Sequence, residues 1–101
     1  MKEISLTQYG PIISIKTIGD EIYNMIKSSL NREIKISINL EGIKSMATFC
    51  AKQIFGKLYI ELGSQEFFDR ISLKGADNDL KTIIQIGIKH AIDERNGSHS
   101  S

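Results

Sequence analysis

Apolar and polar residues alternate in three stretches of the chain, and in three others apolar residues recur at every third or fourth position. Ile34, Ile36, Ile38 and Leu40 alternate strictly with Lys35, Ser37 and Asn39, the period-two pattern of a strand with one buried and one wet face. Near the start, Ile4 and Leu6 alternate with Ser5 and Thr7. Tyr9-Gly10-Pro11 then punctuates the chain before Ile12, Ile13 and Ile15, which predicts a pair of strands. Residues 67–74 carry Ile71 and Leu73 in alternation before Gly75 and predict a further short strand.

The helical period begins at Ile18, which is followed by Ile22, Met25, Ile26 and Leu30. Thr17 stands where a cap belongs, Asp20 follows three residues on, and the pattern stops near Asn31. After the Glu41-Gly42 turn, Ala51, Ile54, Phe55, Leu58 and Leu62 form the buried stripe of a second helix, which Gly63 ends. Asp77 and Asp79 open a third helix with Leu80, Ile84, Gly87, Ile88 and Ala91 on its buried side. Lys89, His90 and Arg95 near its end complement the helix dipole. The order β-β-α-β-α-β-α predicts an α/β fold: a small mixed, partly parallel sheet with helices mainly on one face. If Lys35, Ser37 and Asn39 point away from those helices, the domain has two layers.

With 101 residues, the chain accommodates one hydrophobic core, expected over residues 1–95, with the polar run 96–101 (NGSHSS) as a disordered tail. Hydrophobic residues at 41% and charged residues at 25% match an ordinary soluble globular protein. Thirteen Lys and Arg oppose twelve Asp and Glu, and neither half is a polycation, so the charge gives no grip on nucleic acid. Cys50 is the single cysteine, so no internal disulfide forms. No stretch is apolar enough for a signal sequence or a membrane span, so the expected location is the cytoplasm, with no membrane partner.

Candidate chemistry is sparse. There is no phosphate-binding glycine motif, and the only histidines are His90 and His99, so neither a histidine-dependent triad nor a zinc site has material. No cofactor and no metal are expected, and no enzyme activity. Asp77-Asn78-Asp79 lacks the glycine and distant glutamate of a calcium loop and reads as a helix start. Cys50 falls on the flank of the second helix's apolar stripe and reads as packing. The turn before that helix is more informative. Thr48 sits at a helix N-terminus, where backbone N–H groups and the dipole favour an anion, so it reads as a cap, a phosphate acceptor, or both in turn. On the side away from the buried stripe, Phe49, Gln53, Gly56 and Ile60 fall together. That face reads either as a docking surface or as a second core layer. In a docking surface Gly56 would permit close approach, and Phe49 and Ile60 would contribute about 2 to 3 kcal/mol each if fully buried.

Strand 34–40, the turn Leu40-Glu41-Gly42-Ile43, the run Ile54-Phe55-Gly56-Lys57-Leu58 and the following Glu61-Leu62-Gly63 resemble a STAS-like domain. The name refers to sulfate transporters and anti-sigma-factor antagonists. The resemblance covers about residues 17–95 and includes Phe67, Phe68, Arg70, Ile71 and Ser72-Leu73-Lys74. It implies a small sheet backed by helices, and binding rather than catalysis. In bacterial antagonists of this kind, a hydroxyl opening the helix after the central strand is phosphorylated by a partner kinase that doubles as an anti-sigma factor. Ala47-Thr48-Phe49-Cys50 matches that segment, and the resemblance makes Thr48 the phosphoacceptor.

Together these readings give a regulatory protein-interaction module resembling an anti-sigma-factor antagonist. Its partner-binding residues would be Ser45, Met46, Ala47, Phe49, Lys52, Gln53, Gly56 and Ile60, and Lys52 would lie one turn from a phosphate on Thr48. The implied partner is a histidine-kinase-like ATPase or an anti-sigma regulator. Two other readings stay open: a structural subunit that forms a homodimer without a switch, and a binder of a small anion or nucleotide at the start of the second helix.

Overall fold

The computed structural model describes residues 2–97. In chain order they form β1 (Lys2–Ser5), a 3-10 turn (Thr7–Tyr9), β2 (Ile12–Ile13), α1 (Lys16–Leu30), β3 (Ile36–Asn39) and β4 (Ser45–Met46). Then come α2 (Thr48–Ala51), a π-helical turn (Lys52–Gly56), α3 (Lys57–Leu62), α4 (Ser64–Arg70), β5 (Ile71–Lys74) and α5 (Asn78–Arg95). The stretch from α2 through α3 is one uninterrupted helix, called the middle helix below. Most of the expected tail, with His99, lies outside the described residues.

The main sheet has the order β1-β3-β5, and both pairings are parallel. Its register sets Ile4 beside Ile38, Ile36 beside Ile71, and Ile38 beside Leu73, so one face is a continuous apolar layer. The intervening positions align Glu3 with Ser37 and Ser72, and Ser5 with Asn39 and Lys74, giving a polar opposite face. Side chains alternate with period two, so this register gathers the apolar residues on one face. The other is not wholly wet: Ser37 on the central strand is 2% exposed and its hydroxyl is buried without a hydrogen-bond partner, contrary to the wet side expected for it. The α/β expectation holds, with the strands of the described residues paired in parallel throughout rather than in a mixed sheet.

Four local expectations change. The segments around Ile4 and Ile12 do not pair with each other. A 3-10 turn and Gly10, at φ +87°, carry the chain away from the first sheet, and β2 instead pairs in parallel with β4. Ile34 precedes β3 and is 80% exposed. Residues 64–70 are helical rather than extended. Gly63, at φ +86°, ends the middle helix and starts α4, in which Phe67 turns inward while Phe68 stays exposed. Helix α1 begins at Lys16 with Ile15 as its N-cap, so Thr17 falls inside the first turn and caps nothing.

Two contacts hold the layers in place. Arg70, at the end of α4, donates from Nε to the Ile34 carbonyl at 2.9 Å and from Nη2 to the carbonyls of Leu30 and Glu33 at 2.7 and 3.1 Å. One guanidinium thereby satisfies carbonyls at the end of α1 and fixes the path into β3. The second contact is the crossing of α5 over the middle helix. A Cβ at Gly87 would sit 2.6 Å from the backbone of Ala51 and Lys52, and one at Gly56 would sit 2.9 Å from the Gly87 carbonyl.

Gly87→Ala should therefore destabilise the protein by about 2 kcal/mol, because the backbone it meets cannot yield and the clash outweighs alanine's helix preference. In thermal melts this is a fall in Tm on the order of 10 °C. Arg70→Lys keeps the charge but loses the planar fork, and should cost about 2 kcal/mol in urea unfolding.

Candidate partner-binding face

The start of the middle helix is fixed by the small second sheet. Pairing Ile12 with Ser45 and Ile13 with Met46 leads the chain to Ala47, whose N–H bonds the Ile13 carbonyl at 2.8 Å. Ala47 is the N-cap, and its carbonyl accepts from the N–H groups of Cys50 and Ala51 at 2.9 and 3.0 Å. Alanine offers no side-chain acceptor, and the first turn holds no acidic residue. Thr48 is thus the first helical residue and not the cap. It is half-buried, while Phe49 beside it is 54% exposed. Ile12 and Ile15, each 59% exposed, add apolar surface on the segment packed against this corner.

The other residues of the segment point elsewhere. Met46 is 2% exposed and belongs to the core, Ser45 is half-buried in β4, and Ala47 packs against the core. Cys50 is fully buried with its Sγ 3.7 Å from the Ile15 carbonyl, and burial pushes its thiol pKa up, away from reactivity.

A groove of about 610 Å³ opens along the outside of the middle helix. The helix itself contributes Phe49, Lys52, Gln53, Lys57 and Ile60, α1 adds Lys16 and Asp20, and α5 adds Ala91, Glu94 and Arg95. Side chains tie the helices together across it. Gln53 Nε2 donates to the Lys16 carbonyl at 3.0 Å and to Asp20 Oδ1 at 2.5 Å, and Lys52 Nζ pairs with Glu94 Oε2 at 2.7 Å. The other Gln53 amide atom, Oε1, is buried without a partner and points at Gly19, where a Cβ would leave it no room.

Phe49, Gln53 and Ile60 are therefore brought together as the spacing suggests, and Lys52 joins them in the groove. Gly56 is not among them. It is buried beneath α5, because the wider i→i+5 turn that contains it alters which residues share a face. Lys16, Asp20, Lys57, Ala91, Glu94 and Arg95 were missed by sequence reasoning. Nothing in the spacing of the middle helix announces which ends of α1 and α5 will flank it.

The remaining candidates are ordinary. Asp77 Oδ1 accepts the Leu80 N–H at 2.9 Å and caps α5. His90 is exposed on α5. Among the described residues, no group of histidine, cysteine and carboxylate side chains could hold a metal, and no helix is long and apolar enough to cross a membrane.

Below the groove, Tyr23 of α1 donates its hydroxyl to Glu61 Oε1 at 2.5 Å, and Lys27 Nζ reaches the same oxygen at 3.0 Å. Lys57 lies over the Tyr23 ring at 4.4 Å from its centroid. Burial, then the bond to Glu61 and its charge, push Tyr23 up to about 12. Burial alone would raise the Glu61 carboxyl, but the bonds from Tyr23 and Lys27 and the charges of Lys27 and Lys57 hold it below its usual value.

The sequence model of the STAS-like domain of unknown function, DUF4325, matches residues 19–81, which is more than half of the chain. The chain belongs to that family. No curated protein and no solved structure shows a significant match. The matched span holds the sheet's β3 and β5 and the whole middle helix, whereas Lys16 and the α5 residues of the groove lie outside it.

The Tyr23 cluster makes a signed prediction. Tyr23 has a folded pKa of about 12 against an ordinary value of 10.0, so its stabilising contribution is complete below pH 10.0 and is lost as the pH climbs toward 12. Tyr23→Phe should show a shallower loss of stability over that alkaline window, measured as Tm against pH.

Proposed function

We propose that the chain is a non-enzymatic regulatory module that binds another protein through the start and outer face of its middle helix, with phosphorylation of Thr48 as the switch. The observation that carries this reading is the pairing of Thr48 with a half-exposed phenylalanine at a helix start that lacks any side-chain cap. Together with Ile12 and Ile15, each 59% exposed on the segment that leads to this corner, Phe49 gives a cluster of apolar surface rather than one isolated side chain, the kind of patch that a partner covers. Membership of the STAS-like family supports the interaction role. The resemblance to anti-sigma-factor antagonists supports a histidine-kinase-like ATPase or an anti-sigma regulator as the partner.

The switch follows from charge. A phosphate on Thr48 adds roughly 1.5 to 2 negative charges next to the apolar anchor, and docking would then require desolvating them. In the free protein the uncapped N–H groups at the start of α2 favour the phosphate. Lys52, one turn along, is held by Glu94 at 2.7 Å, so a phosphate competes with Glu94 for it.

Incubation with ATP and a histidine-kinase-like ATPase from the same genome, followed by mass spectrometry, tests the reading. Phosphate should appear on Thr48 and vanish in Thr48→Ala, and modification should weaken partner binding about tenfold or more. Phosphate on another residue, or on none, would reject the switch.

A further inference from the structure

The reading above leaves the partner's chemistry open, and the groove supplies it. We propose that it receives an acidic amphipathic helix, with apolar side chains against Phe49, Ile60 and Ala91 and carboxylates along the flanks. The inference rests on this face being a protein-docking surface.

The floor sets the shape of the occupant. Phe49 and Ile60 stand eleven positions apart on the same helix, on the order of 15 Å at the helical rise of ~1.5 Å per residue less a small shortening at the intervening π-helical turn. That is the length of three turns, so a short helix lying along the groove reaches both anchors with side chains spaced one turn apart.

The rim sets the charge. Lys16, Lys52, Lys57 and Arg95 face two carboxylates, Asp20 and Glu94. Glu94 is engaged by Lys52, and Asp20 accepts from Gln53. Lys16 and Arg95 have no ion-pair partner among the described residues. Lys16 also opens α1, whose first turn has neither an acidic residue nor a side-chain cap, so the positive end of that helix adds to the lysine at the groove mouth. Four cations against two carboxylates give the groove lining a local excess of two positive charges, against +1 for the whole chain. A second copy of the chain would set this positive surface against itself, which disfavours a homodimer through the same face. An acidic occupant also gives the Thr48 phosphate a direct target, because it places like charge against the approaching flank.

The probe is a capped synthetic helix of about 14 residues with leucines at one-turn spacing and glutamates elsewhere. Its control has lysine in place of every glutamate, and both are titrated into isotope-labelled full-length protein. The acidic peptide should shift the backbone resonances of Lys16, Phe49, Gln53, Ile60 and Arg95. It should bind at least about tenfold tighter than the basic peptide and weaken as salt is raised. Phe49→Asp should abolish binding, and the double variant Lys16→Glu/Arg95→Glu should reverse the peptide preference, with both variants keeping the parent's Tm. Equal or tighter binding of the basic peptide in the groove would overturn the acidic assignment while leaving docking on this face intact. If neither peptide moves these resonances, or if they shift on self-association, the groove is not the site proposed, and Thr48 phosphorylation remains separately measurable.

Discussion

The fold depends on one place where there is no space for a single methyl group. At the crossing of α5 over the middle helix, Gly87 meets the backbone of Ala51 and Lys52, and Gly56 meets the Gly87 carbonyl. Backbone against backbone is the closest approach that two helices can make, and only glycine permits it. The rest of the helical layer is referred to this point. Ala51, Ile54 and Phe55 are fully buried on this helix, and beyond Gly87 the last turns of α5, with Ala91 still close against Gly56, form a wall of the groove.

The same crossing coincides with the π-helical turn at Lys52–Gly56. A wider turn costs hydrogen-bond geometry, and such turns persist where they place a residue that regular spacing would misplace. Here Gly56 goes inward under α5, while Gln53 reaches α1 and Lys52 reaches Glu94. The three helices are thereby linked at the level of the groove by polar contacts rather than filled with apolar side chains, which leaves the concavity open and chemically distinct.

The strand from Ile36 to Asn39 was legible from its period of two, although Ser37 proved buried, and the buried stripes of the helices were legible from their own spacing. The opening strands were mispaired because alternation shows which residues face inward but not which neighbour a strand takes. The identity of the neighbour depended on Gly10 steering Ile12 toward β4. Phe67 and Arg70 looked extended because they precede a true strand, yet Gly63 starts a new helix and Arg70 anchors it to carbonyls more than thirty residues earlier in the chain. At the site, Phe49, Gln53 and Ile60 could be grouped by helical spacing alone. Gly56 could not be placed, since a π turn leaves no mark in the period. The contributions of Lys16 and Arg95 arise only from tertiary packing.

The sheet's two outermost strands have a quieter consequence. β1 and β5 are four residues each and present Lys2, Glu3 and Lys74 at their rims. Short, ionised borders of this kind are poor templates for a foreign strand, because recruitment would strand charges in a flat, dry stack. Fibre-like growth is thus discouraged from both sides of this ladder.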